Sequence, residues 1–193
     1  MPYTKEHKQK SRERILESAS RLFSHRGYAA VSIDDLMRDA GLTRGAFYNH
    51  FSDKAEVYAE AIIHAAMRSA RAVGKATESS SLESLHDLLS GYLSREHIDN
   101  SGHPCPLAFL VTDVGTREFK VRESYTRVYR NLVRLIGKRL PPARAKDRRE
   151  AIMAVTAIMI GGVAVGRALI SATLADQLLA SCRSAARRIL EQA

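Results

Sequence analysis

The sequence predicts an all-α protein in two parts, a three-helix head at the N-terminus and a larger helical bundle behind it. Three observations carry this. Apolar residues recur at three- and four-residue spacing along nearly the whole chain, with no alternating strand pattern and no internal repeat. Helix stop signals, Gly27, Gly41, Gly115 and Pro141-Pro142, fall between the periodic stretches. Between Ser32 and Lys54 two short helical patterns stand only three residues apart, SIDDLMRDAGLTRGAFYNHFSDK. Helix, tight turn, helix is the arrangement that places a second helix in the DNA major groove.

The first helix is expected over Lys5–Arg26, with Ile15, Leu16, Ala19, Leu22 and Phe23 on its inner face and Gly27 ending it. Lys5, Lys8, Lys10, Arg12 and Arg14 make its start basic, fit either to touch phosphates or to fray into solvent. The second helix runs from about Ile33 to Ala40. Ser32 with Asp35 forms a capping box with a shortened acid, and Val31 and Leu36 stand where a hydrophobic staple sits. Gly41 stops it, and Thr43 is the N-cap of a third helix reaching about His50. That third helix is too short to persist alone, so Phe47 and Phe51 must anchor it. Arg44, Gly45, Tyr48, Asn49 and His50 are then left outward, and such a face suits phosphates and base edges. Ser52 is the expected cap of the next helix, Asp53 to about Lys75.

On these residues the chain resembles the TetR family of bacterial transcriptional regulators. Gly41, Leu42, Thr43, Phe47, Tyr48, His50, Phe51 and Lys54 fit that family's signature, and the likeness runs back to Gly27-Tyr28 and Ser32-Ile33. One departure is Ala55, where the family usually has Glu; Glu56 follows one place later. The resemblance implies about nine helices, with a DNA-binding domain over residues 1–54 and a regulatory and dimerisation domain over 55–193. It implies a homodimer through the last two helices, and a regulator, most often a repressor, that binds a palindromic double-stranded operator and leaves it when an effector binds. The expected DNA-binding residues are Ser32, Thr43, Arg44, Gly45, Tyr48, Asn49, His50 and Lys54. Helix 53–75 resembles the family's connecting helix, through which an effector would change the distance between the two heads.

Further helices are expected at Leu82–Glu96, Pro106–Gly115, Glu118–Leu140, Lys146–Ala172 and Leu174–Gln192, with Ala76–Ser81 a break and His97–Pro106 a loop. Gly161, Gly162 and Gly166 permit close backbone approach, either in an ordinary buried helix or at a seam between protomers. Tyr92, Phe109, Tyr125, Tyr129 and Met159 are candidates to line an effector pocket; aromatic and methionine side chains at this spacing also make plain core.

The net charge of +9 favours an anionic partner. Its distribution is uneven: residues 1–54 hold ten Lys/Arg against seven Asp/Glu, and residues 117–150 hold twelve against four. That second block reads as a solvated helix face or as a further DNA contact. Residues 1–14 carry no signal-peptide pattern, and the apolar run 151–166 is short for a bilayer, so a soluble cytoplasmic protein without membrane attachment is expected.

Cys105 sits between two prolines, two residues after His103 and just before an expected helix start. There it is either a packed thiol or, as in a subset of TetR-like repressors with a similar stretch, a sensor of electrophiles or oxidants. Cys182 reads as structural. His103 and Cys105 lack an orienting third group and an oxyanion-hole motif, which argues against an enzyme. No ligand spacing for a metal and no phosphate-binding glycine loop is present, so no metal or cofactor is expected.

Overall fold

A computed structural model describes residues 5–74, 82–99, 105–140 and 145–192. The described residues are helical throughout, in eleven helices: α1 Lys5–Arg26, α2 Ile33–Asp39, α3 Arg44–Phe47, α4 Lys54–Gly74, α5 Leu82–Tyr92, α6 Arg95–Asp99, α7 Pro106–Phe109, α8 Val111–Val114, α9 Phe119–Arg139, α10 Ala145–Ala168 and α11 Ala172–Glu191. The excess over the expected nine comes from two breaks. The Leu82–Glu96 helix stops at Tyr92 and restarts at Arg95 as α6, which runs on into the expected loop as far as Asp99. The Ser94 hydroxyl accepts the His97 amide at 3.2 Å, and the His97 ring donates from Nδ1 to the Tyr92 carbonyl at 2.5 Å, so both helix ends are satisfied. The Pro106–Gly115 helix is split by Leu110, whose ψ of 3° departs from the helical value. The expected break at Ala76–Ser81, the Pro141-Pro142 stop and His103 lie outside the described residues.

The chain forms two compact units. The first joins Met1–Arg68 to Gly102–Val128; the second joins Ser69–Ser101 to Tyr129–Ala193. The first therefore recruits α7, α8 and the start of α9 to the N-terminal helices. Its centre holds the side chains the helical periodicity assigns inward: Ile15, Phe23, Leu36, Phe47, Val57 and Ile62 are all within 1% of full burial. Phe23, Tyr28 and Tyr58 form an aromatic cluster with centroids 4.6–5.9 Å apart. Gly27 and Gly41 both take positive φ, +73° and +64°, at the two helix ends where the sequence places stop signals.

The second unit is built on the α10–α11 pair, with α5 and α6 packed against it. The last carbonyls of α9 are held by Arg148, which donates to Gly137 and, at 3.0 Å, to Leu140. A Cβ on Gly162 would lie 2.8 Å from Leu93 Cδ2 and 3.1 Å from Cys182 Sγ, and one on Gly166 would lie 2.6 Å from Ile98 Cδ1. These two glycines therefore serve close packing inside the unit rather than a seam between protomers. Gly161 alone of the three has open space before it.

By length and composition Arg148–Ala168 could cross a membrane, with mean hydropathy 1.8, longer than the uncharged run suggests. Half of that stretch is buried within the protein, on Val155, Met159 and Val163. It is a core helix of the second unit.

Candidate nucleic-acid interface

The geometry of the head starts at its caps. Ser32 and Asp35 close the capping box of α2: the Ser32 hydroxyl accepts the Asp35 amide at 3.1 Å and the Asp35 carboxylate accepts the Ser32 amide at 3.0 Å. The Ser32 hydroxyl, which also donates to this carboxylate at 2.6 Å, and the Ser32 amide hold the Asp35 carboxyl below the usual carboxylate range. Ser32 is thus committed to the helix start, although exposed. Thr43 stands at the N-cap of α3 in extended conformation, but its hydroxyl makes no capping bond. Thr43 is exposed, and its hydroxyl is not spent on its own helix start.

The third helix is a single turn, shorter than expected. After Phe47 the amides of Asn49 and His50 bond three residues back, to Ala46 at 3.3 Å and Phe47 at 2.9 Å, which tightens the chain out of the α-helix. Phe47 and Phe51 anchor this turn as expected, both buried with rings 5.6 Å apart. Of the five residues the sequence assigns outward, Arg44, Gly45, Tyr48 and Asn49 are exposed, whereas His50 is half-buried. Tyr48 is 57% exposed, braced edge-on against Phe47. Asn49 is exposed, and a Cβ on Gly45 would meet nothing within 4 Å. Arg44 is exposed and ion-paired with Asp34 at 2.6 Å.

His50 and Lys54 are less free. His50 is half-buried, its Nδ1 is enclosed without a hydrogen-bond partner, and burial together with Lys8 and Arg12 lowers its pKa. The Lys54 ammonium lies 4.2 Å from the centre of the Tyr28 ring, and burial lowers its pKa too. The basic N-terminus is ordered helix from Lys5 rather than a frayed tail. Lys10 pairs with Glu6 at 2.9 Å, Arg12 pairs with Glu60, and Arg14 reaches the Gly41 carbonyl at 3.5 Å.

At the start of α4 the expected cap, Ser52, is replaced by its neighbour. Asp53 accepts the Glu56 amide at 2.7 Å, and Glu56 reaches back to the Ser52 amide at 2.6 Å and hydroxyl at 2.7 Å. The Glu missing at position 55 is thereby made good by Glu56. Asp53 also takes the Lys120 ammonium at 2.7 Å, which, with the Glu56 amide, holds its carboxyl low.

Sequence reasoning missed the residues that tie 105–128 to this head. Asp113 Oδ2 accepts the Tyr28 amide at 3.2 Å and the buried Tyr58 hydroxyl at 2.6 Å, while Oδ1 faces Arg117 at 3.4 Å. Burial and this acceptor raise the Tyr58 pKa far above that of a free phenol. Arg117 stands 4.8 Å from the Tyr28 ring centre. The available signal was a lone acid inside the apolar stretch PLAFLVTDV.

The regulatory candidates fall in both units. Phe109 and Tyr125 belong to the first unit; Tyr92, Tyr129 and Met159 belong to the second. Met159 and Tyr92 are closed core, and the Tyr125 hydroxyl donates to the Leu107 carbonyl at 2.8 Å. Cys105 is 6% exposed at the N-cap of α7, and no disulfide joins it to Cys182. Burial raises the Cys182 thiol, against the opposing charge of Arg183.

Comparison with known proteins agrees with this geometry. Residues 15–61 match the family model described as bacterial regulatory proteins, tetR family. The HTH-type transcriptional regulator AcrR of Shigella flexneri is 44% identical over 57 residues, which is 30% of this chain and 26% of that protein. The chain thus spans about a quarter of the length of such curated relatives. Over nearly the full length the fold is that of reduced Escherichia coli NemR, with TM-score 0.77, 14% identity and 93% and 97% of the two chains covered. It is also that of a TetR-family regulator from Agrobacterium tumefaciens, with TM-score 0.75, 18% identity and 95% and 99% covered. Residues 15–61 thus form a tetR-family N-terminal domain, on an all-helical fold that the chain shares with these two solved structures.

Proposed function

We propose that the protein is a dimeric, cytoplasmic repressor that binds a palindromic operator through the α2–α3 region and releases it on binding a small-molecule effector. The observation that carries this reading is the outer surface of α3. Thr43, Gly45, Tyr48 and Asn49 are exposed on a turn that Phe47 and Phe51 fix from below, an ordered surface with no role in its own core. Thr43 and the free amides at the α3 start would take a phosphate, with Arg44 and Tyr48 at base edges or flanking phosphates. His50 and Lys54 would hold the backbone. On this reading residues 1–54 are the DNA-binding part, and the rest senses and dimerises.

The second protomer is supported by the outer face of the α10–α11 pair. Ala154, Ala157, Gly161, Val165 and Ala168 follow one another along α10 without being buried by their own chain, and Leu174 and Leu178 continue the apolar surface on α11. An apolar helical stripe of this length is what a second copy covers. A dimer also supplies the second half-site, about one helical turn away on the DNA.

For the effector, burial of Cys105 favours a packed thiol, and hence a non-covalent ligand, over a surface sensor of electrophiles. The signal would reach the heads through α4, whose start is gripped by Lys120 and by the Asp113 cluster.

The test is Tyr48→Ala on DNA from the gene's own upstream region. Operator affinity should fall at least tenfold while size-exclusion chromatography still reports a dimer; retained affinity refutes the assigned surface. Affinity should also fall steeply with salt in the wild type, and a flat salt response would favour a ligand-binding protein whose DNA binding is vestigial.

A further inference from the structure

Beside the DNA-contacting surface, the first unit carries a polar cleft of about 290 Å³ between α1, the end of α2 and α4. Arg14, Glu17 and Arg21 from α1, Asp39 from α2, and His64 and Arg68 from α4 line it. Arg14 and Arg21 are seven residues apart, so they stand on one face of α1, roughly 10 Å from each other along the axis. Three guanidinium groups around one small cleft repel each other unless neutralised. Two of them are: Arg21 donates from Nη2 to both oxygens of Asp39, and Arg68 pairs with Glu17.

Arg14 is the third. Among the described residues no carboxylate pairs with it, and its acceptor, the Gly41 carbonyl, lies at 3.5 Å, the outer limit of a hydrogen bond. A guanidinium has five donors, so most of the Arg14 fork is unspent at the mouth of a cleft whose charged side chains carry a net positive charge. The opposite wall is set. The Ser20 hydroxyl donates to the Leu16 carbonyl at 2.7 Å and lies 3.2 Å from His64 Nδ1, which fixes the imidazole against the cleft.

We infer that this cleft binds a small carboxylate- or phosphate-bearing anion, with the Arg14 fork as its anchor and Arg68 and His64 on the far wall. The volume lies at the small end of ligand pockets, which run from about 300 Å³, so the ligand is of metabolite size rather than a polymer. Glu17 and Asp39 offer acceptors to hydroxyl or ammonium groups on the same molecule. The site has a direct line to the turn between α2 and α3. A Cβ on Gly41 would lie 2.7 Å from the Arg14 guanidinium, so the group that would hold the anion is also the group packed on the turn glycine. Drawing Arg14 onto an anion changes its contact with that turn.

The binding event does not depend on the operator reading and is tested without DNA. Thermal unfolding of the full-length protein is followed in citrate and in inorganic phosphate, against sodium chloride of equal ionic strength. At about ten times Kd the folding equilibrium should gain roughly tenfold over chloride. The gain should vanish in Arg14→Gln and persist in Tyr48→Ala. Arg14→Lys, which keeps the charge and loses the fork, should weaken binding at least fivefold and serves if Arg14→Gln does not fold. Amide shifts of Gly41 and Leu42 in ¹H–¹⁵N spectra should move with the titration. No gain over chloride in the wild type overturns the inference. So does an equal gain in Arg14→Gln, or a gain lost in Tyr48→Ala instead, which would locate the anion on the DNA-contacting surface.

Discussion

Removing the Asp113 carboxylate should loosen the first unit by an amount that depends on a single hydroxyl. Tyr58 is fully buried, and Asp113 Oδ2 is its acceptor at 2.6 Å. In Asp113→Ala that hydroxyl is orphaned in the core, which costs about 1–3 kcal/mol. The Tyr28 amide, 3.2 Å from the same oxygen, loses its acceptor too, and the Arg117 pair, partly exposed, adds at most about 1 kcal/mol. The expected total is about 3 kcal/mol. Tyr58→Phe alone removes one hydrogen bond to a charged group and should cost about 1.5 kcal/mol. In the double variant the orphaned hydroxyl no longer exists, so the combined loss should fall short of the sum by about 1–2 kcal/mol. The assay is urea unfolding by circular dichroism at one fixed protein concentration, because the proposed dimer would make stability concentration-dependent. Hydrogen exchange at the Tyr28 amide gives the local readout and should accelerate in Asp113→Ala but not in Tyr58→Phe. Additivity within about 0.5 kcal/mol, with Tyr28 protection unchanged, would refute the Asp113 cluster as a tie between 105–128 and the head.

Gly166→Ala should destabilise by about 1–3 kcal/mol by pushing against Ile98, whereas Gly161→Ala should leave the isolated fold unharmed or slightly firmer; denaturant midpoints compare them directly. The folded-state pKa of His50 is depressed below an unfolded value near 6.5, so its contribution to stability is present above that pH and is lost as pH falls through the folded value. An operator phosphate favours the charged imidazole, so operator affinity should rise over the same acid window, and His50→Gln should flatten both trends in pH-resolved unfolding and binding titrations. Cys105 should react with N-ethylmaleimide at least tenfold more slowly than an unfolded thiol, and operator release by the reagent should not differ between wild type and Cys105→Ser. Rapid modification of Cys105, with release abolished in the mutant, would restore the sensor reading.

The head was largely legible in the sequence because its signals are local. The Ser32–Asp35 box, the positive φ at Gly27 and Gly41, and the inward Phe47 and Phe51 each follow from residues within one or two turns. The same locality hid the rest. Nothing near Thr43 indicates that its hydroxyl would be idle, nor that Asp53 would displace Ser52 as cap, because Lys120, 67 residues on, shares that carboxylate. Nothing near Asp113 in the sequence signals that Tyr28 and Tyr58 supply its donors. Close approach at the glycines of α10 was legible, but not what approaches: Leu93 and Ile98 of the same chain take the space at Gly162 and Gly166. His97 was read as loop because Asn, Ser, Gly and proline follow it, yet its ring closes the end of α5 and its amide opens α6.

The interrupted make-up of the first unit bears on how the protein is born. The sequence assigns the reading head to residues 1–54, but the compact unit that contains them closes only with 102–128. On a ribosome adding about 5–20 residues per second, the N-terminal helices wait roughly 3–12 s for the segment that brings Asp113 and Lys120. During that interval the Tyr58 hydroxyl has no carboxylate to meet and the start of α4 lacks its lysine. A nascent chain halted near residue 74 is therefore expected to be a poor binder of the proposed operator, and the finished surface becomes available only when the chain through residue 128 has emerged. The same reasoning sets the shortest useful fragment for work on the head: it must reach Val128, or carry Tyr58→Phe in place of the partner it lacks.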